Sequence, residues 1–128
     1  MSITEISADA LLGMAPADVT ILDVGQHAGK AEIRGAVRYR PHDLLRPDHL
    51  VLPLAPEKPV VLYDADGRGD LTRKVADRLA SSGYGDVRIL LNGFAAWTQI
   101  DGPTQEASLE QMVPPAEPDE VQALDRRL

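Results

Sequence analysis

The sequence predicts a single α/β domain with a mainly parallel, four- to five-stranded sheet flanked by helices on both faces. Three observations predict it. Short β-branched runs such as Val19-Thr20-Ile21-Leu22-Asp23-Val24 and Val60-Val61-Leu62-Tyr63 alternate with segments of helical spacing. The run 60–63 is apolar throughout, the pattern of a strand buried on both faces. The chain has 128 residues, enough for one core and short for two, and 44% of them are hydrophobic.

Taken in order, Ser7 is placed to cap a short helix through Ala8–Met14, with Leu11 and Leu12 facing inward. The strand 19–24 follows and ends at Gly25. Gly35-Ala36-Val37-Arg38-Tyr39 is a second, weaker strand, broken by Pro41. Asp43-Leu44-Leu45 reads as a helical turn. After the strand 60–63 comes the loop Asp64-Ala65-Asp66-Gly67-Arg68-Gly69-Asp70. A helix over residues 71–82 then carries Leu71, Val75, Ala76 and Leu79 on one face, with Asp70 as its N-cap and Gly83 as its stop. Val87–Leu91 is a further strand and Phe94–Trp97 a helical turn. Phe94 and Trp97 are expected to complete the core beside Leu79 and Tyr84, with Trp97 also bordering the loop.

Charge divides the chain. Residues 1–100 carry 13 acidic and 11 basic side chains, whereas residues 101–128 carry seven acidic side chains and two arginines, together with Pro103, Pro114, Pro115 and Pro118. The expected organisation is a body over 1–103 and an acidic, proline-rich tail over 104–128. Leu109, Met112, Val113 and Leu124 of that tail are candidates to pack on the body or on a second copy; monomer and homodimer both remain open. The net charge of −7 disfavours a nucleic-acid partner. No run of about 18 apolar residues predicts a membrane span, and Met1-Ser2-Ile3-Thr4-Glu5 lacks the features of a signal peptide. The cytoplasm is the default expectation. Cysteine is absent, which excludes disulfides, zinc-thiolate sites and chemistry needing a protein thiol.

Ligands of open parallel sheets bind beyond the carboxyl ends of the strands. Asp64–Asp70 is such a place: strand, glycine-containing loop, helix. Its amides are expected to converge on a hollow that suits an anion. Asp23, at the end of an earlier strand, is expected to tie loops together.

The order of these segments resembles the rhodanese-like (sulfurtransferase) domain family over about residues 3–103. Ile21-Leu22-Asp23-Val24 resembles its first core strand. Ala31-Glu32-Ile33-Arg34-Gly35-Ala36 is similar to its G-H-I-x-G-A segment. Val60–Tyr63 matches the strand before the active loop, and Val75-Ala76-Asp77-Arg78-Leu79 with Gly83-Tyr84 the helix after it. Val87-Arg88-Ile89-Leu90, Asn92-Gly93-Phe94-Ala95-Ala96-Trp97 and Gly102-Pro103 match the close of the domain.

In active members, the resemblance implies, a cysteine at the end of the strand takes up a sulfur atom as a persulfide. The aligned residue here is Asp64, and a carboxylate forms no stable persulfide. The family's arginine after Asp-Val is Gly25, and its basic loop residue carries over only loosely, to Arg68. Asp64, Asp66 and Asp70 set three carboxylates against Arg68. Two unit charges about 4 Å apart interact by about 4 kcal/mol at an effective dielectric near 20, so an incoming anion meets repulsion. The expectation is a rhodanese-like domain without sulfur transfer, with no catalytic residue and no cofactor. It would act as a binding or regulatory module through its loop face or its tail.

Other chemistries read from the same residues are weaker. Val61-Leu62-Tyr63-Asp64-Ala65-Asp66-Gly67 fits the strand-D-x-D-G opening of magnesium-dependent phosphatases of the haloacid-dehalogenase type, with Asp64 as phosphoryl acceptor and Asp66 as acid/base. It lies mid-chain, however, and no later acidic pair follows. A receiver-like phospho-acceptor lacks its lysine, and a calcium loop lacks its bidentate glutamate. His27, His42 and His49 have no ligand spacing, so no metal site is expected. Arg34, Arg38, Arg40 and Arg46 are a modest basic group, read as a solvated edge or a contact for an acidic partner.

Overall fold

The computed structural model describes residues 3–25, 31–46 and 52–107. The elements are β1 (Ile3–Ile6), α1 (Ala8–Leu12), a 3-10 turn (Pro16–Asp18), β2 (Thr20–Asp23), β3 (Ala31–Ile33), β4 (Val37–Arg38), α2 (Pro41–Leu44), β5 (Val60–Tyr63), α3 (Asp70–Ser81), β6 (Val87–Leu90), α4 (Gly93–Gln99) and β7 (Thr104–Glu106). Five strands form one sheet in the order β1-β6-β5-β2-β4, and every pairing in it is parallel. This is the α/β sheet flanked by helices that the sequence predicts.

Side-chain alternation along the central strands builds two cores. Val60 and Leu62 of β5, Leu22 of β2, and Val87 and Ile89 of β6 pack with Val75, Ala76 and Leu79 of α3 and with Leu44 of α2. Val61 and Tyr63, Ile21, and Leu90 turn to the other face, against Leu11 of α1 and Trp97 of α4. Residues 60–63 are all fully buried, as a strand covered on both faces must be.

Three strands go beyond the sequence reading. β1 is an edge strand in register with β6. β3 pairs antiparallel with β7 in a separate two-stranded sheet, so Thr104–Glu106, within the stretch read as a tail, forms a strand. Trp97 and Phe94 lie on the face opposite Leu79 and Tyr84, not beside them. α1 stops at Leu12 rather than Met14, with Ser7 Oγ accepting from Ala10 N at 3.1 Å. The turn at 94–97 is a seven-residue helix. Leu109, Met112, Val113 and Leu124 lie outside the described residues, as do His27 and His49. His42 is an exposed residue of α2. Among the described residues no helix is long and apolar enough to cross a membrane.

Candidate functional site: a loop closed on its own carboxylate

The sheet order places a crevice between β5 and β2. From β5 the chain crosses by α3 to β6 on one side, whereas β4, which follows β2, lies on the other side. Parallel α/β sheets bind ligands at such a reversal. Asp64 leaves β5 there, and Asp23, opposite Tyr63 in the strand register, closes β2 beside it.

Asp64 is buried, 8% exposed. Its carboxylate turns back into the loop that follows. Oδ1 accepts from Gly67 N. Oδ2 accepts from Gly69 N at 3.0 Å and from Thr72 Oγ1 at 2.7 Å. Three donors that converge near the start of α3 are thus held by a side chain of the same loop. An anionic acceptor suits this place, because the first amides of a helix lack intrahelical partners and its dipole favours negative charge. The N-cap of α3 is Gly69, with no side-chain cap. Asp70, expected as the cap, is instead the first helical residue and is exposed.

The back of the loop rests on α4. Phe94 N donates to Asp64 O at 2.8 Å and Ala95 N to Ala65 O at 3.0 Å. This contact requires Gly93: its φ is +57°, and a β-carbon there would stand 2.8 Å from Gly67 N and 2.9 Å from Asp66 N. The Tyr63 and Phe94 rings stack at 6.1 Å. On the outer side, Ala65, Asp66, Arg68 and Asp70 are exposed. Asp66 Oδ1 accepts from Arg68 N at 3.0 Å, forming a small local turn.

Asp23 is fully buried. Its Oδ1 accepts from Gly25 N and its Oδ2 from Tyr63 Oη, each at 3.0 Å. Tyr63 Oη in turn accepts from Ile33 N at 3.0 Å. This chain of bonds ties β2, β3 and β5 together below the loop. Burial first, and then the negative charges of Asp23 and Glu32, push the Tyr63 phenol well above its ordinary pKa. Glu32 is also fully buried, and its Oε1 accepts from Gln105 Nε2 of β7 at 3.0 Å. Trp97 lines an apolar groove beside α1 and donates from Nε1 to Pro103 O at 2.8 Å.

Sequence reasoning missed Thr72. A spacing signal pointed to it, because residues 72, 75, 76 and 79 are the buried stripe of α3; Leu71, taken as the first member, is only half-buried. It also missed Glu32 and the bridging role of Tyr63. Among the described residues no three potential ligands gather to hold a metal ion. The four arginines play different parts: Arg34 edges the apolar groove, Arg46 pairs with Asp43 at 3.2 Å, Arg38 is half-buried in β4, and Arg40 is exposed at the start of α2.

Comparison with known proteins agrees with this architecture. The profile of the rhodanese-like domain matches residues 7–100. Among curated proteins none matches the chain. The rhodanese-like domain of an Anabaena protein superposes with a TM-score of 0.66 at 26% identity, covering 91% of this chain and 96% of that one. A full-length protein from Lactobacillus plantarum gives a TM-score of 0.70 at 24% identity over 80% of this chain and 88% of its own. A thiosulfate sulfurtransferase from Pseudomonas aeruginosa gives 0.62 at 25% identity; the match covers 81% of this chain but 20% of that longer one. The chain belongs to the rhodanese-like domain family, and it holds no cysteine.

Proposed function

We propose that this domain is a rhodanese-like module without sulfurtransferase activity that works by binding. The observation that carries the proposal is the Asp64 carboxylate bonded to Gly67 N, Gly69 N and Thr72 Oγ1. Sulfur transfer needs a thiolate to attack the sulfane sulfur of thiosulfate, releasing sulfite and leaving a persulfide. The chain holds no cysteine, and the donors that would steady the anion already serve an internal one. Around the closed loop stand exposed Asp66, Arg68 and Asp70, with Leu91 40% exposed past the end of β6. This mixture of charge around one apolar side chain suits a protein partner; the acidic tail is the other candidate contact.

The phosphatase reading finds less support. Both oxygens of Asp64 accept bonds from within the loop, and Asp66 is turned to solvent with Oδ1 on Arg68 N.

The test is a thiosulfate:cyanide transfer assay on the unaltered protein, with intact-mass detection of bound sulfur. No thiocyanate above the uncatalysed rate and no added sulfur atom are expected. Turnover by the unaltered protein overturns the proposal. Asp64→Cys probes the scaffold in parallel, because a carried sulfur in that variant shows that the loop lacks only the nucleophile.

A further inference from the structure

We propose that the apolar groove between α1, α4 and β7 is the docking site for the chain's own segment Leu109–Val113. The groove encloses about 580 Å³. Leu11, Val19, Ile21 and Trp97 form its floor, Leu12 stands at its rim 45% exposed, and Arg34 edges it. It opens beside the start of β2, away from the strand ends that carry the loop 64–70, so the inference is independent of binding through the loop face proposed above.

The direction of the chain identifies the occupant. Pro103 and Gln105 form one wall of the groove, and this wall is fixed. Gln105 Oε1 accepts from Gly35 N at 3.0 Å, its Nε2 donates to Glu32 Oε1 and Ala36 O, and Trp97 Nε1 holds Pro103 O. The chain therefore leaves β7 from the edge of the groove. Residues 108–128 lie outside the described residues, and the first apolar side chains among them are Leu109, Met112 and Val113, closed by Pro114-Pro115. Leu109 lies four positions after Gln105, a reach of up to about 14 Å. A segment tethered this closely meets the groove at a millimolar-scale effective concentration, so even a weak contact is populated. A second copy lacks that advantage. Charge agrees, because Glu110 sits inside the segment and Arg34 on the edge. Apolar side chains in the segment and an apolar floor in the groove each gain from leaving water.

Nuclear Overhauser effects in the full-length chain test this directly. Trp97 is the only tryptophan, so its indole protons are an unambiguous reporter. Contacts from the methyl groups of Leu109, Met112 and Val113 to the Trp97 ring and to Leu12 are expected, independent of protein concentration. Met112→Glu, within the segment, and Leu12→Glu, at an exposed rim position, are each expected to reduce the docked population about tenfold. Leu124→Glu is expected to leave the contacts in place. Three results overturn the proposal: no contact in the unaltered chain, contacts seen only between differently labelled copies, or contacts that survive both Met112→Glu and Leu12→Glu.

Discussion

Thr72 Oγ1 lies 2.7 Å from Asp64 Oδ2, a hydrogen bond that joins the end of β5 to the first turn of α3 across eight residues. With the Gly67 and Gly69 amides, it gives the loop an anion of its own.

Asp64→Ala removes the acceptor of three donors. Hydrogen bonds to a charged group contribute about 1.5–3 kcal/mol each, so a net loss of about 2–3 kcal/mol is expected once water reaches some of the donors. The vacated donors should then accept an external oxyanion. Thermal denaturation with and without sulfate is the check. Sulfate should raise the melting temperature of the variant and leave the parent nearly unchanged, since ligand at about 100 times its Kd adds about 2.7 kcal/mol.

Gly69→Ala should be costly for a reason that lies in Asp64. A β-carbon at Gly69 would stand 2.5 Å from Asp64 Oδ2 and 3.3 Å from Thr72 Oγ1, although the backbone angles, φ −75° and ψ 124°, suit alanine. The single variant should lose about 1–3 kcal/mol. In an Asp64→Ala background most of that cost should vanish, giving a coupling of about 1–2 kcal/mol. Urea denaturation of the four proteins measures it.

Tyr63 should impose an alkaline limit on stability. Its folded pKa is raised above the ordinary value of 10.0. Above pH 10 the unfolded chain therefore loses this proton while the native state keeps it, and stability falls as pH rises. Below pH 10 both states hold the proton and the group adds no slope. Tyr63→Phe should flatten the decline; Tyr39, also raised, chiefly by burial, leaves a residue of it. At neutral pH the same variant removes the bonds to Asp23 and Ile33 N, at about 1–3 kcal/mol. Unfolding curves from pH 7 to 11 give both effects.

Ser7→Ala should cost about 1 kcal/mol, the usual worth of an N-cap. Ser7 Oγ accepts from Ala10 N, and α1 is only five residues long. A melting temperature unchanged from the parent would show that packing of Leu11, not the cap, holds α1.

Central strands were legible because burial on both faces leaves no polar residue in Val60–Tyr63. The edge strand β1 was not: Thr4 and Glu5 are exposed, and only its pairing with β6 makes this short stretch a strand. The β3–β7 pair joins residues some 70 positions apart, beyond any local pattern. A glycine-containing loop after a buried strand made the converging amides legible, yet the Thr72 donor was hidden in a helix read for apolar residues alone. The side of the sheet on which Trp97 packs is set by the crossing of the chain, which helical periodicity does not encode.

The bonds from Phe94 and Ala95 to the loop carbonyls have one more consequence. Those two amides open to solvent when residues 64–65 pull away from α4, so their deuterium uptake reports on the loop. An intact, unmutated molecule thus reports on its own loop 64–70, and any partner that grips this end should slow that uptake.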